Sequence, residues 1–112
     1  MSILINADLH IHSRFSAATS DSMDIETLSR EAPRKGIQVV GTGDCLHGGW
    51  LEQIKSCARI DDGTFERNGT RFILSTEVED MHRVHHLLYF PSLSAVETFK
   101  EKVLKGGKVK EC

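Results

Sequence analysis

Asp8-Leu9-His10-Ile11-His12 follows Ile3, Leu4 and Ile5 and precedes Ser13, Arg14, Phe15 and Ser16. A short apolar run that ends in polar residues reads as a buried strand emptying into a loop. Asp8, His10 and His12 alternate, and along an extended chain such residues share a face. One carboxylate and two imidazoles at the carboxyl end of a strand suit a metal site. This stretch sets the expectation for the rest of the chain, which is a parallel α/β arrangement with chemistry at its strand ends.

The sequence beyond it keeps that pattern. Asp24 is a helix cap, and Ile25, Leu28 and Ala32 make one apolar face, closed by Arg34, Lys35 and Gly36. Ile37–Thr42 is a nearly continuous apolar run, as in a parallel strand covered on both faces. It runs into Gly43-Asp44-Cys45-Leu46-His47, a second polar strand end. Trp50, Leu51, Ile54 and Ala58 predict a second helical stripe. Asn68-Gly69 between Thr64–Arg67 and Thr70–Thr76 reads as a two-residue hairpin turn. The return strand is expected to end at Glu77-Val78-Glu79-Asp80, and a further strand, 84–90, carries His85 and His86 before Pro91. On a regular strand those two histidines face opposite ways, so only one is expected to join a site. Ser94 and Glu97 have capping-box spacing, with Val96, Phe99 and Val103 as the buried face of a last helix, and residues 105–112 read as a frayed tail.

Composition narrows the classes. At 112 residues the chain is at most one small domain, too short for a closed barrel of about 200 residues or more. A formal net charge of −2 gives no footprint for nucleic acid. Apolar runs are too short for a membrane span, and no secretory leader is visible. Three widely spaced cysteines, Cys45, Cys57 and Cys112, suggest free thiols in a reducing cytoplasm.

The strand ends are therefore expected to bring His10, His12, Asp44, Glu77 and one of His85 or His86 to one rim. Imidazole and carboxylate together suit zinc, manganese or iron. A glutamate such as Glu77 can bridge two ions, the arrangement used for phosphoryl transfer. Arg14 and Arg83 are phosphate-binding candidates, because guanidinium matches phosphate oxygens bidentately. Asp44 can equally be a turn residue or cap, and Cys45 a packed thiol.

Four segments in order carry a family resemblance: residues 7–13 (Ala-Asp-Leu-His-Ile-His-Ser), 41–44 (Gly-Thr-Gly-Asp), 76–79 (Thr-Glu-Val-Glu) and 83–88 (Arg-Val-His-His-Leu-Leu). They resemble the PHP (polymerase and histidinol phosphatase) superfamily, and within it the archaeal endonuclease Q group, DNA repair enzymes that nick beside deaminated bases. The resemblance implies the N-terminal portion of a distorted (β/α)₇ TIM-like barrel, with 1–104 a partial PHP domain. It implies two or three divalent metal ions, zinc or manganese, on His10, His12, Glu77 and His85, with His86 as the fallback. Asp44 and Glu77 take catalytic roles in this reading, and Asp44 is also a ligand. Cys45 stands where the family often has a histidine, and a later ligand and a closing Asp-x-His motif are expected beyond residue 112. The function implied is a metal-dependent phosphoesterase, part of a DNA repair endonuclease. DNA is a partner by resemblance alone, and the missing C-terminal part or a second chain is expected to complete the sheet. The alternatives are an amidohydrolase-type or phosphomonoester hydrolase, or an inactive metal-binding remnant.

Overall fold

The structure is a computed structural model that describes residues 3–11 and 24–112. The readings placed on His12, on Arg14 and on the loop 13–23 lie outside the described residues.

The architecture is a mixed α/β fold around a seven-stranded sheet. The elements are β1 (Ala7–Asp8), α1 (Ile25–Arg34), β2 (Val39–Gly41), α2 (Gly48–Lys55), β3 (Ala58–Arg59), β4 (Thr64–Arg67), β5 (Thr70–Asp80), β6 (His85–Phe90), α3 (Leu93–Lys102) and β7 (Val109–Glu111), with a 3₁₀ turn over Leu104–Gly106 before β7. The sheet order is β1-β2-β5-β4-β3, and β6 and β7 also pair with β5. β1, β2 and β5 are parallel, whereas β3, β4, β6 and β7 run antiparallel to their neighbours.

β5 is the hub, and at 11 residues it is about twice the usual strand length. Its first half, Thr70–Ile73, lies between β2 and β4. Its second half, Val78–Glu79, lies between β6 and β7. Alternation sends Phe72, Leu74, Thr76 and Val78 into the core. The Asn68-Gly69 hairpin forms as expected, with φ of 50° and 82°, the double left-handed pair of the turn that matches strand twist.

The helices cover the buried face. Asp24 caps α1 through a 2.7 Å bond from the Thr27 N–H, and Ile25, Ser29 and Ala32 are buried. Trp50, Leu51 and Ile54 seat α2, and the Trp50 indole N–H donates to the Thr42 carbonyl at 2.9 Å, fixing the helix to the end of β2.

Several expectations are corrected. Ile3, Leu4 and Ile5 are 82%, 94% and 55% exposed and not a buried strand, because pairing to β2 starts only at Ala7. Ala58 leaves the α2 stripe for β3, since the helix ends at Lys55. The return strand does not stop at Thr76 but runs on through Glu77 to Asp80, paired with β6 over residues 77–79 and with β7 over residues 78–80. The cap of α3 is Ser92, whose Oγ accepts from the Ala95 N–H at 3.0 Å, so Val103 falls past the helix and is 37% exposed. The tail is not frayed. Val109–Glu111 pairs with β5, and the Cys112 N–H donates to the Glu77 carbonyl at 2.9 Å. The sheet edge beside Val78–Asp80 supplies the backbone partners that a solvated tail lacks.

Candidate metal centre

The antiparallel return of β6 makes the site. His85 sits at the amino end of β6, directly across from Glu79, so it reaches the carboxyl half of β5 without being at a carboxyl end itself. β7 arrives on the opposite edge and delivers Cys112 beside Glu77. Glu77, His85 and Cys112 each place one donor atom within 4.8 Å of the others.

The contacts are specific. Glu77 Oε1 lies 3.2 Å from His10 Nε2 and 3.7 Å from His85 Nδ1. His85 Nδ1 is 3.8 Å from Cys112 Sγ, and His85 Nε2 is 3.4 Å from Glu79 Oε1. Lys110 Nζ reaches Glu79 Oε2 at 3.1 Å. The Lys110 ammonium holds the Glu79 carboxyl below its usual range against partial burial, with His85 adding to the effect. Burial, followed by the Glu77 and Glu79 carboxylates, pushes the Cys112 thiol up. Those are neighbours whose mutual repulsion a shared cation relieves. The carboxylate, imidazole and thiol of Glu77, His85 and Cys112 also match the O, N and S donors that zinc takes, with the His10 imidazole beside Glu77. The residues present therefore fit a divalent ion.

His10 reaches Glu77 by a close passage of backbone. A Cβ on Gly41 would stand 2.8 Å from the Leu9 carbonyl oxygen, so only glycine lets the chain leaving β1 cross there. The Tyr89 hydroxyl donates to that same carbonyl at 3.0 Å. Because β1 ends at Asp8, the expected alternation breaks. Asp8 lines a small cavity of about 60 Å³ with Leu28 and Val40, while His10 turns to Glu77.

Other expected residues lie apart. His86 faces away from His85, and its Nε2 is 2.9 Å from Asp80 Oδ2. That contact, with the Val84 and His82 N–H groups, brings the Asp80 carboxyl down to about 2. Asp44 is 3% exposed with φ of 46°, in the loop joining β2 to α2, and is not in the Glu77, His85 and Cys112 group. Its charge is among those raising Glu111, where burial is the main cause. Glu111 accepts from the Leu46 N–H at 2.9 Å and from the Thr76 hydroxyl, tying β7 to the loop after β2. Cys45 is buried and its thiol pushed up by burial, a packed residue. His47 caps α2, its Nδ1 accepting from the Gly49 N–H at 3.2 Å. Arg83 lies at φ of 63° in the β5–β6 turn and borders a cleft beside the cluster. The residue that sequence reasoning missed is Cys112. The available signal was Gly106-Gly107 followed by Val109-Lys110-Glu111, a turn and a short alternating run leading to a thiol.

No family model matches the chain. It is 42% identical over 106 residues to an uncharacterised protein of Methanocaldococcus jannaschii, covering 95% of this chain and 12% of that one. Its fold matches the crystal structure of the lesion-specific endonuclease PfuEndoQ from Pyrococcus furiosus at a TM-score of 0.87 and 51% identity, over 90% of this chain and 26% of that chain. It also matches an endonuclease Q solved in complex with a 27-mer duplex substrate with an abasic lesion at the active site, at a TM-score of 0.85 and 52% identity, over 88% of this chain and 25% of that one. The mixed α/β sheet described above is thus the fold of a fragment of endonuclease Q, and the chain spans a minor part of the length of each protein it matches. Among the described residues no helix is long and apolar enough to cross a membrane.

Proposed function

We propose that this chain is a metal-binding segment of a DNA repair endonuclease of the endonuclease Q kind, within the PHP superfamily, acting on the phosphodiester backbone beside a lesion. The observation that carries the reading is the convergence of Glu77, His85 and Cys112, with His10 3.2 Å from the same glutamate oxygen. His10, Glu77, His85 and Cys112 would hold a zinc or manganese ion, with His12 and Asp44 the candidates for one or two more. Such ions, when bound, supply positive charge that polarises a phosphoryl oxygen. The chain's own residues then have separable tasks. Glu79 fixes the His85 ring through Nε2, leaving Nδ1 toward Glu77 and Cys112. Gly41 and Tyr89 hold the Leu9 carbonyl and so set where His10 lies. The similarity to lesion-specific endonucleases, one of them solved on duplex DNA, supports DNA as the substrate.

The test is metal content per chain, by elemental mass spectrometry after native desalting, followed by nicking of a duplex with one abasic site by a chain that includes this segment. At least one ion per chain, and nicking lost on His10→Ala with folding retained, is the expected result. A metal-free chain, or full turnover by that variant, overturns the reading. A second reading is that the segment works only when further chain or a second protein covers it. The exposure of Leu9, Leu87 and Tyr89 on the face that carries Glu77 and His85 favours it. Metal retained without nicking by the 112-residue chain is its expected signature.

A further inference from the structure

Between the β5–β6 turn and the turn entering β7 lies a cleft of about 230 Å³, lined by Glu79, Asp80, Met81 and Arg83 from one side and by residues 107–110 from the other. Its two carboxylates are already engaged: Glu79 with Lys110 and His85, Asp80 with His86. Among the described residues, that leaves Arg83 and Lys108 with no carboxylate in ion-pair range. The turn that presents Arg83 is tightly held. The Arg83 N–H donates to the Asp80 carbonyl at 3.0 Å, and Asp80 Oδ1 accepts from the His82 and Val84 N–H groups at 2.8 and 3.0 Å. The cleft opens two to three residues past Glu77 along β5, about 7–10 Å away. A phosphate seated at the Glu77, His85 and Cys112 cluster therefore does not fill it, while a neighbouring phosphate on the same strand does.

We infer that Arg83 and Lys108, with Lys110 at the rim, form a subsite for backbone phosphates that flank the reacting one. This inference rests on the reading of DNA as the substrate. It moves Arg83 from the reacting phosphate to the register of the strand: such contacts position the duplex and carry no sequence information.

The experiment follows DNA affinity and not cleavage. Fluorescence anisotropy of a labelled duplex with one abasic site is measured against salt for the 112-residue chain and for the double variant Arg83→Gln, Lys108→Gln. Each lost phosphate contact makes the slope of log affinity against log salt shallower by about 0.9, so the pair is expected to cost about 1.8 in slope and about tenfold or more in affinity. If circular dichroism shows the double variant unfolded, Lys108→Gln alone, at an exposed position after Gly107, is expected to give half the change in slope. An unchanged slope and affinity overturns the inference, and so does an unaltered chain that does not bind the duplex. Metal content is read on the same samples. A metal-free chain that shows the slope change keeps this inference and loses the metal centre, whereas a metal-loaded chain with an unchanged slope does the reverse.

Discussion

On β5 the alternate residues Phe72, Leu74, Thr76 and Val78 are 0%, 0%, 1% and 2% exposed, whereas the side chains of Glu77 and Glu79 on the other side keep 14% and 20% of their surface. The strand is one and the period is the same, so the difference comes from what lies above each face. α1, α2 and α3 cover the first face with Ile25, Trp50, Ile54 and Val96, and apolar burial there supplies the stability of the fold. The second face carries His10, His85, Lys110 and Cys112 around the two glutamates, with Leu87 and Tyr89 44% and 45% exposed beyond them. One side of the sheet is a core, and the other carries the proposed metal site. The strands that carry these polar residues are anchored from behind by that core.

Substitutions can test how separate the two faces are. Phe72→Ala on the covered face is expected to cost the most, about 3–5 kcal/mol, because it opens a cavity among closely packed neighbours. Urea unfolding measures it, and a loss below 1 kcal/mol would mean that the core lies elsewhere. On the open face, His85→Ala should weaken zinc binding by at least about 100-fold while His86→Ala, one residue along and turned to Asp80, leaves it nearly unchanged. Competition with a chelating dye distinguishes them, and equal losses would erase the contrast between the faces.

A smaller effect is expected where the sheet edge meets the end of β6. A Cβ at Gly63 would come within 2.4 Å of the Pro91 carbonyl oxygen, which is backbone and cannot turn aside. Gly63→Ala should cost about 1–3 kcal/mol with zinc affinity retained, as read by thermal melting and the same dye assay. The pH dependence of Asp80 is weaker still, since the group is only half-buried and stays open to solvent screening. Its carboxyl falls from 3.8 to about 2 through the bond to His86 and two backbone N–H groups. A carboxyl lowered in the folded state contributes stability above its unfolded value, and loses it as pH falls through the folded one. Asp80→Asn should therefore flatten the urea midpoint between about pH 4 and pH 2, and an unchanged acid limb would remove Asp80 from that role. Leu87→Ala, exposed on the open face, is expected to change stability least, by no more than about 0.5 kcal/mol.

The sequence by itself determined the local elements and most of the cluster. Asp24 with its apolar stripe, the Asn68-Gly69 turn, the return strand from Thr70 and the polar set of His10, Glu77 and His85 were all legible, because caps, turns and short runs are properties of neighbouring residues. Only the tertiary structure decided who meets whom. Alternation says that His85 and His86 part company, but the antiparallel register of β6 on β5 puts His85 at Glu77 and His86 at Asp80. Cys112 looked like the end of a solvated tail until β7 paired with Val78–Asp80, 29 to 33 residues away in sequence. Asp8 and His10 were expected to share a face until β1 stopped at Asp8; the His10 backbone N–H still donates to Asp8 Oδ1 at 3.4 Å, but its ring turns to Glu77. Pairing of distant strands is set by which edge and which apolar surface are available once the core has formed, and short windows of sequence do not encode that.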